Sequence, residues 1–150
     1  MNRLLIATDG SPAAEAAVQA GVQLAAEQLA GVVLLHVVDA VDVVAPAFGP
    51  IIVKTVEEAN PADDEALSSA AEVARAHGVP FELKLVAGFD YEAILATADQ
   101  IDAEVIVIGS NRHGALGTTF LGSVSKEVLK RATRPVLVVH PTAAPVAATA

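Results

Sequence analysis

The sequence predicts an α/β fold, a doubly wound and mostly parallel five-stranded sheet, and three observations carry that expectation. Short apolar runs alternate with longer segments of helical period along the whole chain. Most of these runs are apolar at every position, as strands covered by helices on both faces must be. Capping residues, glycines and prolines separate run from segment at the spacing of strand–helix–strand units, whose crossovers are right-handed.

The first run, Leu4-Leu5-Ile6-Ala7-Thr8, ends at Asp9-Gly10-Ser11-Pro12, where Ser11 can cap a helix and Pro12 suits its first turn. That helix puts Ala17, Gly21, Leu24 and Ala25 on one face, and Gly31 is expected to close it before the second strand, Val32 to Val38. Residues 39 to 58 show no defensible period around Pro46, Gly49 and Pro50, so a long loop is expected there. Asn60 is the expected cap of a helix running from Pro61 to His77, with Asp63 and Asp64 at its positive end and Gly78 beyond it.

Phe81-Glu82-Leu83-Lys84-Leu85 alternates apolar and charged residues and reads as an edge strand. Asp90 is the expected cap of a helix with Ile94, Ala98 and Ile101 on its buried face, followed by the strand Val105 to Ile108 and Gly109. A glycine-rich loop from Gly109 to Gly122 leads to a short helix marked by Val124, Val128 and Leu129. Its basic end, Lys130, Arg131 and Arg134, suits the negative pole of the dipole, and Val136 to Val139 forms the last strand. One domain over residues 1–141 and a frayed tail at 142–150 are expected.

Ligands of such sheets bind outside the carboxyl ends of the strands where the winding reverses. With the strands ordered third, second, first, fourth, fifth, that point lies between the first and fourth, and Asp9, Val37 and Gly109 converge on it. Composition narrows the ligand. A net charge of −9 argues against a surface that neutralises nucleic-acid phosphates or anionic lipid. With no cysteine, thiolate chemistry and disulfides are excluded. The apolar runs are too short to span a bilayer, and a cytoplasmic protein is expected.

The stretch from Gly109 to Ser125 carries the chemistry. It leaves a buried strand and returns to a helix N-terminus at Gly122-Ser123, whose free N–H groups and dipole suit an anion. Glycines would let the backbone approach phosphate oxygens, and the Ser123 and Ser125 hydroxyls would add donors. A plain structural turn is the competing reading. Neither a Gly-Lys-Ser/Thr sequence nor a GxGxxG turn occurs.

Taken together, these segments resemble the universal stress protein family along nearly the whole chain. Leu5-Ile6-Ala7-Thr8-Asp9-Gly10-Ser11 is similar to its first strand and turn, His36-Val37-Val38-Asp39 to the end of its second strand, and Gly88 with Glu92-Ala93-Ile94 to the entry of its third helix. Its ATP-binding members carry Gly-x2-Gly-x9-Gly-Ser/Thr after the fourth strand. Here Gly109 and Gly122-Ser123 match, while Arg112 stands in place of the middle glycine.

The resemblance implies a Rossmann-like sheet and a homodimeric regulatory module binding ATP or another adenine nucleotide with Mg²⁺. Ala7 would line the nucleoside pocket, Asp9 would meet the ribose or a phosphate-bound Mg²⁺, and the Val37 backbone would pair with the adenine edge. Gly109 would lie against ribose and first phosphate, and Gly122, Ser123, Val124 and Ser125 would hold the later phosphates. Arg112 either binds a phosphate or fills its subsite, and the pliancy expected of Gly114 and Gly117 favours the first. If it fills the subsite, the alternative is a homodimeric stress-response interaction protein that binds no nucleotide.

Simpler readings stand beside these. Asp9 can serve the turn alone. His113 is an ordinary loop histidine, and His36, His77 and His140 are scattered over different elements, which speaks against a metal cluster. The acids Glu57, Glu58, Asp63, Asp64 and Glu65 read as a solvated helix start. No catalytic triad or carboxylate pair is evident, so no enzyme beyond slow ATP hydrolysis is expected. The wholly apolar last strand, Val136, Leu137, Val138 and Val139, is expected at the sheet edge and needs a cover, which a second copy would supply.

Overall fold

The computed structural model describes residues 2–38, 42–44, 52–54, 59–110 and 121–141, with the backbone alone at 42–44 and 52–54. In chain order the elements are β1 (Arg3–Ala7), α1 (Pro12–Gln28), β2 (Gly31–Val38), β3 (Asp42–Val44), β4 (Ile52–Lys54), α2 (Glu65–Ala76), β5 (Phe81–Ala87), α3 (Asp90–Ile101), β6 (Val105–Gly109), α4 (Ser123–Arg131) and β7 (Val136–Val139). Five strands form one sheet in the order β5-β2-β1-β6-β7, and every neighbouring pair is parallel. This is the expected doubly wound order.

The apolar runs have a simple cause. Alternate residues of each inner strand point to opposite faces, and both faces are buried. Leu4, Ile6, Val32, Leu34 and Val107 join one core with Val18 and Val22 of α1 and Leu67 and Ala74 of α2. Leu5, Val33, Leu35, Ile106 and Ile108 join the other with Ile94 and Ala98 of α3 and Val128 of α4. A polar residue at any of these strand positions would be stranded from water. β5 and β7 are the edges, as their sequences suggest.

Several local expectations are corrected. Within the segment 39–58, expected to be a loop, β3 and β4 pair antiparallel as a separate two-stranded sheet, with Val43 opposite Val53. β-branched residues on both strands favour that extended backbone. The helix expected from Pro61 is split: Asn60 caps only a 3₁₀ turn, Pro61–Asp63, and Asp64 caps α2 by accepting from the Leu67 N–H at 2.9 Å. Asp64 has extended backbone, φ −72° and ψ 125°, which interrupts one helix and starts the next.

Asp90 is the first residue of α3 rather than its cap, a position that Phe89 takes without a side-chain bond. Of the apolar residues that mark α4, Val128 is buried and Leu129 is exposed. The histidines are less isolated than their spacing suggests. His77 Nδ1 lies 2.9 Å from the Val73 carbonyl at the end of α2. His140 Nδ1 shares a hydrogen bond with the buried Ser110 hydroxyl, joining the ends of β6 and β7.

α1 ends on Leu29, not on a glycine. Its φ is 53° and its ψ 39°, and the Ala30 N–H then reaches back to the Ala25 carbonyl at 2.9 Å. Gly31 instead begins β2 opposite Arg3. Leu29 is 91% exposed and gains no packing from its left-handed backbone. Replacing Leu29 with Gly should therefore stabilise the fold by about 0.5–1 kcal/mol. Chemical denaturation with an unchanged m-value checks this, and a loss of stability would mean that the side chain holds something in place.

Candidate functional site

β1 ends at Ala7, whereas β2 continues to Val38. The last bond between them runs from the Thr8 N–H to the Leu35 carbonyl at 2.8 Å. On the other side of β2 the Val38 carbonyl accepts from the Gly88 N–H at 3.1 Å. Successive residues of a strand direct their backbone groups to opposite sides. The N–H and carbonyl of Val37 therefore face past the end of β1, into a cleft.

That cleft holds about 140 Å³ between the ends of β1, β2 and β6 and the first turns of α1, α3 and α4. Eight of the residues singled out in the sequence line it: Ala7, Asp9, Val37, Gly109, Gly122, Ser123, Val124 and Ser125. Arg112 and Gly114 lie outside the described residues. The cleft is also lined by His36 and Asp90, which the sequence did not mark. His36 was discounted as scattered and Asp90 read only as a cap, although each adjoins a strand end.

The Asp9 carboxylate serves the turn as well as facing the cleft. Its Oδ1 accepts from the Ser11 N–H at 2.9 Å, while the Ser11 hydroxyl accepts from the Ala14 N–H at 3.2 Å and caps α1. Gly10, at φ 80°, supplies the left-handed step of this turn. Partial burial pushes the Asp9 carboxyl upward, but hydrogen bonds from Ser11 and from its own backbone, with the nearby His36, outweigh it and hold it below its ordinary value. It is an anion throughout the neutral range, with acceptor capacity left over.

Across the cleft, α4 begins at Gly122, and its first internal bond runs from the Lys126 N–H to the Gly122 carbonyl at 3.0 Å. The N–H groups of Ser123, Val124 and Ser125 precede that bond and have no partner within the helix. Among the described residues no side chain caps them. The Ser125 hydroxyl, expected as a donor to an anion, instead donates to the Gly109 carbonyl at 3.1 Å and is buried. What Ser125 offers the cleft is its backbone.

Gly109 has a structural reason of its own. A Cβ there would run into the Ala13 carbonyl and lie 2.9 Å from the Ala14 nitrogen, because the first turn of α1 packs directly on β6. Nothing flexible can yield at that contact. Gly109→Ala should displace this turn and cost about 1–3 kcal/mol of stability. A thermal melt checks it, and an unchanged midpoint would show that α1 is free to move off β6.

Among the described residues no cluster of three or more metal-ligating side chains exists, and no helix is long and apolar enough to cross a membrane. Asp9 could share an ion with ligand oxygens, as Mg²⁺ sites often do, but could not hold one alone.

The arrangement has clear relatives. The chain is 34% identical over 146 residues to the universal stress protein YxiE of Bacillus subtilis, covering 93% of this chain and 99% of that one. It is 42% identical over 65 residues to a universal stress protein of Mycolicibacterium smegmatis, a match that takes in 43% of this chain and half the length of that relative. A solved universal stress protein in complex with cAMP superimposes with a TM-score of 0.68 at 27% identity, over 94% of this chain and 98% of the other. The family model of universal stress proteins matches residues 1–140, and the chain belongs to that family.

Proposed function

We propose that the cleft binds an adenine nucleotide and that the protein is a regulatory module whose state reports the bound ligand. One observation carries this reading: the backbone edge at Val37 and the N-terminus of α4, both without a partner among the described residues, face one cavity, with Asp9 beside them. The first matches the donor–acceptor edge of a purine. The second matches a phosphate. The structural relative bound to cAMP supports the same ligand class.

Charge decides the form of the ligand. The described residues lining the cleft include two carboxylates, Asp9 and Asp90, and no lysine or arginine. A triphosphate brought against them is repelled unless a cation comes with it, so ATP is expected to bind as its Mg²⁺ complex, with Asp9 as the protein partner of the ion. Arg112 would be the protein's own counter-charge. Binding acts as a switch, and no reaction is assigned beyond slow hydrolysis of a bound nucleotide.

Calorimetry with ATP should show binding that strengthens with Mg²⁺, and Gly122→Val should weaken it at least about tenfold by placing a branched side chain at the phosphate. Valine is a poor cap, costing up to about 1 kcal/mol, so the comparison is made well below the melting temperature. Unchanged affinity would remove α4 from the site, and no binding at millimolar ATP would refute the reading.

We also propose that the protein is a homodimer paired through β7. The Ile106 N–H donates to the Pro135 carbonyl at 3.0 Å and the Ser110 N–H to the Val139 carbonyl at 2.9 Å, so residues 135, 137 and 139 face β6. The backbone groups of Val136 and Val138 face outward from the edge. Leu137 adds an exposed apolar side chain. A second copy related by a two-fold axis would pair with this edge antiparallel. Val138→Pro removes an outward donor and no bond to β6, so it should convert dimer to monomer in sedimentation at tens of micromolar. A wild-type monomer, or a variant that stays dimeric, would overturn edge pairing.

A further inference from the structure

Two residues that the sequence leaves unconnected meet beside the cleft. His36, in β2, lies with its Nδ1 2.9 Å from Oδ2 of Asp64, the cap of α2, and the two side chains are only 18% and 16% exposed. The other Asp64 oxygen accepts from the Leu67 N–H at 2.9 Å. Both carboxylate oxygens are committed, and the group cannot turn without uncapping the helix.

An ionised carboxylate only accepts hydrogen bonds, so the proton shared with Asp64 sits on His36 Nδ1. In the neutral ring Nε2 is then an acceptor. His36 lines the cleft between Leu35 and Val37, and Asp9 lines the same cleft. His36 and Asp9 stand at the strand ends of the cleft, and the first N–H groups of α4 stand across it.

We propose that the Asp64–His36 pair reads a hydroxyl on the ligand: Asp64 holds the imidazole in its Nδ1–H tautomer, and Nε2 accepts from a sugar hydroxyl of the kind a ribose carries. A phosphate oxygen cannot use that nitrogen, since acceptor would face acceptor. The inference rests on the nucleotide reading above and adds His36 as a ligand contact and Asp64 as a positioning residue.

Asp64→Asn is the decisive variant. Asparagine caps helices as well as aspartate does, and the Leu67 N–H requires its oxygen, so its amide nitrogen must face His36. That nitrogen can only donate, which moves the imidazole proton to Nε2 and reverses the tautomer with the fold kept. Calorimetry at about pH 8 compares adenosine monophosphate with its 2′-deoxy and 3′-deoxy forms, while ¹⁵N NMR reports the His36 protonation and tautomer.

The wild type should bind the ribonucleotide about tenfold more tightly than one deoxy form, the worth of one hydrogen bond, and its His36 Nε2 signal should move on binding. Asp64→Asn should show the Nε2–H form, which can only donate to the hydroxyl where the wild type accepts, and should change the size of the preference at an unchanged melting temperature. His36→Leu, with no partner for the hydroxyl, should lose the preference, and it decides the matter should Asp64→Asn melt early. Equal binding of all three nucleotides, or a His36 signal that binding leaves unmoved, overturns this inference and leaves the nucleotide site standing. No binding of any of them overturns both.

Discussion

β1 is the middle strand of the sheet and stops at Ala7, while β2 runs on to Val38, and the cleft exists because of that difference in length. Had β1 continued, its backbone would have paired with Val37 and closed the opening. Instead the chain turns sharply at Asp9, Gly10 and Ser11, with one Asp9 carboxylate oxygen holding the turn and the Ser11 hydroxyl capping α1. Reversal of winding at the middle strand then sends α1 and α4 to opposite faces, and the gap between their first turns becomes the floor of the site.

The same geometry explains why glycine and serine recur here. Gly109 lets α1 pack against β6, and the Ser125 hydroxyl ties α4 to the Gly109 carbonyl. These residues brace the site before they can serve a ligand. Among the described residues, much of what the cleft offers is backbone, namely the Val37 edge and the first N–H groups of α4, beside the Asp9 carboxylate held in its charged form. A site built from backbone is rigid, because its donors are fixed by the sheet and the helix rather than by rotamers.

Edges impose the second constraint. β5 alternates charged and apolar residues, and Glu82 reaches Arg3 at 3.6 Å across the sheet, so its polar groups blunt that edge. β7 has no such protection, and its outward backbone groups belong to valines. The cleft proposed to bind nucleotide and the proposed dimer edge meet at the ends of β6 and β7, where Ser110 and His140 share a hydrogen bond. The two proposed functions therefore share one piece of backbone.

The sequence by itself determined the sheet, because burial on both faces writes unbroken apolar runs into Leu4–Ile6, Val32–Leu35 and Ile106–Ile108, and because Ser11 and Pro12 announce the helix that follows the first of them. It also marked Asp9, Val37 and Gly122, since the ends of those runs can be read directly. Only the tertiary structure decided what each polar residue does there. Asp64 reads in the sequence as one acid of a solvated cluster and is bonded to a histidine 28 positions away; Ser125 reads as a phosphate donor and is bonded to Gly109; Leu29 closes a helix whose end the sequence puts at Gly31. Apolar patterning is local and repeated, so a sequence displays it. The partner of a hydrogen bond is one atom on another element, and only the packing of the elements brings it within reach.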